Sequence, residues 1–204
     1  QRLSEMAVGK KNITIITSDH TRPMPSRITM PLLLSEIRRG NPAADISILV
    51  ATGTHRAASK DELLARFGQE IISREKIFIH DCDDRESMAE LCTSPRGNAI
   101  AINKLAYEAD LLIAEGFIEP HFFAGFSGGR KSIMPGIASR ASIMYNHCAP
   151  WIADPHSVMG TLEHNPIHED MVYAAQKSGL ACILNVVLNH KKEIISAYAG
   201  DMIK

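Results

Sequence analysis

No two cysteines in this sequence are spaced as C-x-x-C. The four present, Cys82, Cys92, Cys148 and Cys182, are scattered. That excludes the common zinc and dithiol patterns and predicts reduced, mostly buried thiols in a cytoplasmic protein. An excess of one charge is also missing: 22 Lys and Arg stand against 23 Asp and Glu, for a net charge of −1. The electrostatic basis for binding nucleic acid or an anionic membrane is therefore absent. No apolar run reaches the roughly 20 residues that cross a bilayer. The first residues lack the basic-then-apolar order of a secretory signal. What is present is ordinary for a soluble globular protein: 45% hydrophobic and 22% charged residues. The 204 residues are enough for one large domain or two small ones.

Several apolar, β-branched runs read as buried strands: 12–18, 45–51, a short one at 76–80, 99–102 and 110–116. Between them lie helical stretches with recognisable ends. Ser26 is positioned to cap a helix over 27–39 that Gly40 closes. Ser59 and Glu62 form a capping box for a helix that runs to Phe67 and stops at Gly68. Asp81, Asp83 and Asp84 suit a helix N-terminus and offer too few oxygens in register for calcium. A short helix is expected at 104–109, an Ala-rich helix over 137–147 and an amphipathic helix over 167–178. The runs 181–188 and 193–198, parted by a polar turn, read as a hairpin. The fold class that follows is α/β: a mostly parallel sheet with helices on both faces, a Rossmann-like three-layer arrangement, ending in an antiparallel hairpin.

The chemistry gathers where the predicted strands end. After 110–116 comes a loop holding His121, Gly125, Gly128, Gly129, Arg130 and Lys131. Glycines let backbone approach a ligand, and adjacent cations favour an anion there. This loop does not match the Walker pattern, because Arg130 stands where that loop needs Gly before Lys-Ser. Asp19, Thr21 and Arg22 follow the first strand, where an Asp19–Arg22 ion pair would brace the turn. His55 follows the second strand, in a position equivalent to that of His121. Parallel strands bring such ends together, so the two histidines are expected to share one site. His147 is followed by Cys148, but neighbours on a helix point about 100° apart and do not ligate one metal together. His156, His164 and His168 have uneven spacings that fit no zinc pattern. The residues alone leave two function classes open. One is an α/β enzyme with a histidine pair; the other is a nucleotide- or phosphate-binding module that uses the Gly loop and Arg130/Lys131 as a clamp without catalysis.

Five motifs in order carry a resemblance over nearly the whole chain: Asp19-His-Thr-Arg-Pro, Thr52-Gly-Thr-His-Arg, the loop Pro120-His-Phe-Phe-Ala-Gly-Phe-Ser-Gly-Gly-Arg-Lys-Ser-Ile-Met-Pro-Gly136, Asn146-His147, and Asn165-Pro-Ile-His-Glu-Asp170 with Asn185-Val-Val-Leu-Asn189. Together they resemble the nickel-dependent lactate racemase family. That resemblance implies an isomerase that interconverts 2-hydroxy acid stereoisomers through a nickel-pincer nucleotide. This cofactor is a pyridinium mononucleotide whose sulfurs and ring carbon hold nickel. It implies Lys131 as the covalent tether and His147 as the protein ligand to nickel. His55 and His121 would be the acid/base pair, Asp19 the orienter of a histidine, and Arg22 the partner of an anionic group. Thr21, Gly128, Gly129 and Arg130 would belong to the cofactor cradle. Expected partners are cofactor-maturation enzymes, the 2-hydroxy acid substrate and a second domain that follows in family members and helps close the cleft. Residues 1–204 then correspond to the N-terminal catalytic and cofactor-binding domain. With half the cleft missing, the chain alone is expected to be inactive or nearly so.

Overall fold

The computed structural model describes residues 1–202. In chain order the helices are α1 (Leu3–Met6), α2 (Ser26–Gly40), α3 (Lys60–Phe67), α4 (Gln69–Arg74), α5 (Lys104–Tyr107), α6 (Arg140–Asn146), α7 (Ala149–Ile152) and α8 (Pro166–Lys177). The strands are β1 (Asn12–Ser18), β2 (Asp45–Ala51), β3 (Lys76–Ile79), β4 (Met88–Thr93), β5 (Ala99–Asn103), β6 (Leu111–Phe117), β7 (Pro120–His121), β8 (Gly125–Phe126), β9 (Leu180–Leu188) and β10 (Ile194–Gly200).

Six strands form the main sheet in the order β10-β9-β6-β1-β2-β3. Pairings from β3 across to β9 are parallel, and β9–β10 is antiparallel. The apolar strands are buried because both faces are covered. Ile13 and Ile15 of β1 pack with Met30, Leu34 and Ile37 of α2 in one layer. Ile16, Leu112 and Ala114 face the other layer, with Met171 and Ala174 of α8. The chain winds outward from β1 to β3 on one side, then returns to place β6 on the other. The crevice at the strand carboxyl ends between β1 and β6 is the place where doubly wound sheets bind ligands.

The α/β class, the three layers and the terminal hairpin agree with expectation. Some local features differ. Ser26 does not cap α2: it is the first helical residue, and its hydroxyl donates to Glu115 at 2.5 Å. The acidic run 81–84 does not open an α-helix. Asp84 caps a single 3-10 turn, and Asp83 accepts two bonds from Arg140. The stretch 88–93 was not read as a strand, yet β4 pairs with β5 in a separate ribbon. Helix α6 begins at Arg140, with Ser139 as its cap, because 133–138 is a buried irregular segment.

Candidate active site

Ser18 of β1, Ala51 of β2 and Phe117 of β6 end their strands around a cleft of about 230 Å³. Asp19, Arg22, His55, His121, Lys131 and His147 line it. The sequence signal for five of these was a polar loop after an apolar run. His147 instead follows α6, which packs against β5 and α8.

Each histidine has its ring orientation set by one nitrogen. The His55 Nδ1–H donates to Asp19 Oδ2 at 2.6 Å, and Asp19 is only 2% exposed. An ionised carboxylate can only accept, so this contact selects the tautomer with the proton on Nδ1 and leaves Nε2 free of it. At His121 the order is reversed: Nδ1 accepts from the Ala124 N–H at 3.3 Å. The His147 Nδ1–H donates to the Ile143 carbonyl at 3.1 Å, so its Nε2 keeps a lone pair. Phe123 stands edge-on between the His121 and His147 rings, with centroids 4.7 and 5.1 Å away.

The charges in the cleft are mostly positive. Burial, then Lys131 and Arg22, push the His121 imidazole down to about 4. Burial and Lys131 do the same to His147, also to about 4. Burial, reinforced by Arg130 and Arg22, brings the Lys131 amine down to about 7. Near neutral pH the cleft therefore holds two uncharged imidazoles and an amine that is substantially unprotonated, beside the fixed cation of Arg22. An anionic ligand entering it meets no carboxylate apart from Asp19, which His55 and Thr21 engage.

The loop 119–136 is shaped by its own contacts. Gly128 has φ +78°, and a Cβ there would lie 3.0 Å from Asn185 Nδ2. Gly129 donates its N–H to Asn185 Oδ1 at 3.4 Å. Asn185, on β9, is not a site residue expected from sequence, although it opens the second part of the last motif. A Cβ on Gly125 would meet the Thr161 carbonyl at 2.3 Å, so only glycine fits where the loop crosses that segment.

Two expectations require correction. Arg130 does not face the cleft. Its Nη2 donates to the Ala124 and Phe126 carbonyls, both at 2.8 Å, and its Nη1 to Ser127 at 3.2 Å. The guanidinium, buried and pushed down to about 10 yet still cationic at neutral pH, ties the loop together from inside. The Asp19–Arg22 ion pair does not form, because the Asp19 carboxylate is taken by His55 and by Thr21, whose hydroxyl donates to Oδ1 at 2.6 Å. Thr21 lies beside the cleft as a prop for Asp19. Gly129 likewise sits behind Gly128.

Residues 1–160 match the family model for the lactate racemase N-terminal domain. The chain belongs to that family. It is 58% identical over 200 residues to a lactate racemase of Thermoanaerobacterium thermosaccharolyticum, covering 98% of this chain and 47% of that protein. It is 54% identical over 201 residues to one of Lactiplantibacillus plantarum, with the same coverage of each. The solved lactate racemase apoprotein from T. thermosaccharolyticum superposes with a TM-score of 0.98 at 57% identity, over 99% of this chain and 48% of that one. A crystal structure of a Thermotoga maritima protein gives 0.78 at 25% identity, over 97% of this chain and 52% of the other. The chain thus spans about half the length of the curated relatives it matches. Among the described residues no helix is long and apolar enough to cross a membrane.

Proposed function

We propose that this chain is the catalytic and cofactor-binding half of a 2-hydroxy acid racemase, with lactate as the first substrate to try. The observation that carries this reading is the pairing of His55 and His121 on one cleft. One ring leaves Nε2 as an acceptor and the other is held by its Nδ1, and both sit beside a near-neutral lysine. Inverting a hydroxyl-bearing carbon through a keto acid requires the hydroxyl proton to leave on one side and return on the other. Two imidazoles suit that task, since each serves as base in one direction and acid in the other. Asp19 holds His55 in the required tautomer. Arg22, unpaired with Asp19, is free to bind the substrate carboxylate in a fork.

The residues fit the nickel-pincer nucleotide that family resemblance implies. The Lys131 amine, largely neutral near pH 7.5, is the nucleophile a covalent tether needs. His147 offers Nε2 with Nδ1–H fixed by a carbonyl, the usual arrangement for a metal-binding imidazole, and nickel accepts imidazole. Gly128 lets the loop backbone come close. When bound, the cofactor would take the substrate hydride and return it to either face. The partners that follow are cofactor-maturation enzymes and a second domain of the same protein that closes the cleft. The alternative of a bare phosphate clamp is disfavoured by Arg130, whose two terminal nitrogens donate to loop carbonyls.

The test is chiral chromatography of a 2-hydroxy acid panel with the cofactor-loaded full-length protein. Racemisation of at least one member is expected, and replacing His55 or His121 should block both directions. Ordinary turnover after loss of both histidines would overturn the reading.

A further inference from the structure

We propose that Arg66 of α3 is a positioning residue for the Asp19–His55 pair. The inference rests on the reading of that pair as part of the acid/base machinery. Its Nη2 donates to the Asp19 carbonyl and, at 2.7 Å, to the Arg22 carbonyl. Nη1 donates to the Met24 carbonyl at 3.3 Å. One guanidinium therefore gathers three carbonyls of the short loop that carries Asp19, Thr21 and Arg22.

Apart from Met24, which packs on Phe117 and Val186, that loop has little else to hold it. Its backbone bonds are local: the Arg22 N–H to the Asp19 carbonyl and the Ser26 N–H to Met24. Pro23 and Pro25 have no N–H to give. Among the described hydrogen bonds, those of Arg66 and of His55 itself tie residues 19–24 to other parts of the chain. Arg66 is also well placed in sequence. The box at Ser59 and Glu62 starts α3 four residues after His55, so one short segment delivers both the imidazole and the clamp on its partner.

A half-buried arginine that only filled space would be costly, because removing the cation from water is unfavourable. Desolvation does lower its affinity for its proton, and Glu115 and Asp19 offset part of that loss. Glu115, 1% exposed, accepts from Thr17, Ser26 and Thr29 at 2.6, 2.5 and 2.5 Å. Ser26 Oγ also lies 3.5 Å from Arg66 Nη1. The buried carboxylate at the end of β6 thus balances the cation through a shared hydroxyl. The cation in turn fixes where the Asp19 carboxylate stands.

The tautomer of His55 reads this directly, without cofactor or substrate. In the 15N-labelled chain a long-range 1H–15N correlation should show His55 protonated at Nδ1, assigned by its disappearance in His55→Gln. Arg66→Gln should lower the ratio of the Nδ1–H to the Nε2–H form about tenfold, the scale of one lost charge-assisted hydrogen bond. The His147 ring, held by Ile143, should keep its tautomer and serves as a control for an intact fold. Arg66→Lys should fall between the two, since a compact ammonium does not span three carbonyls. An unchanged His55 ratio in folded Arg66→Gln overturns the proposal. Should that variant not fold, the Lys variant decides, and a wild-type ratio there overturns it. Absence of racemase activity in the full-length protein would count against the function proposed above and leave this result standing.

Discussion

Lys131 should react as a neutral amine at a pH where other lysines do not. Its amine falls from an ordinary 10.5 to about 7, first through burial, then through Arg130 and Arg22, with Glu119 opposing. A tenfold change in proton affinity is about 1.4 kcal/mol, so the ammonium is disfavoured by roughly 4 kcal/mol after allowance for partial exposure. At pH 7.5 more than half of Lys131 would be unprotonated, against about 0.1% of an ordinary lysine. Neutral amines of lower basicity are also weaker nucleophiles, which trims the advantage to about twentyfold. Competitive labelling with trace acid anhydride between pH 5 and 10, read by peptide mass spectrometry, measures this. The expected Lys131 midpoint lies near 7, against about 10.4 for the lysine of a short reference peptide labelled in the same mixture. A Lys131 midpoint above 9 would refute the claim that burial and neighbouring cations prepare this amine for covalent chemistry.

Two further outcomes follow from the same site. Arg130→Ala removes the guanidinium donor from the Phe126 carbonyl and leaves the Ala124 carbonyl only the Phe126 N–H, and should cost roughly 2 kcal/mol in urea unfolding; a loss under about 1 kcal/mol would contradict the internal role given to this guanidinium. His121, His147 and His168 are each pushed from 6.5 to about 4, chiefly by burial. The unfolded chain therefore binds more protons between those values. Stability complete above pH 6.5 should fall by at least about 2 kcal/mol by pH 4.5, and a flat urea midpoint over that range would contradict the burial of these rings.

The sheet was legible because its strands are long apolar runs that both layers cover, as at 12–18 and 111–117. Loop chemistry after each run was legible for the same reason, since parallel strands put those ends together. Partner choice was not. Asp19 and Arg22, three residues apart, suggested a local pair, but Thr21 and a histidine 36 positions away are better placed for the carboxylate. Arg130 suggested an anion clamp, because its residue type does not reveal which way a side chain turns in a tight loop. Ser26 looked like a cap until β6 brought Glu115 beneath it. Strand β4 escaped notice because Met-Ala-Glu-Leu-Cys-Thr shows no clean alternation; it is fixed by pairing with β5. The histidine roles owed more to the ordered motifs than to spacing, and α3 carried no sequence signal that Arg66 would reach back to the first loop.

The central claim is that this chain holds a nickel cofactor through Lys131 and His147. Intact mass and metal content of the full-length protein, produced together with the maturation enzymes, test it most directly. A covalent adduct with about one nickel per chain is expected. Lys131→Ala should remove the adduct, and His147→Ala should keep it while losing most of the metal. An adduct retained on the Lys131→Ala protein, or unmodified wild-type protein under those conditions, would contradict the account.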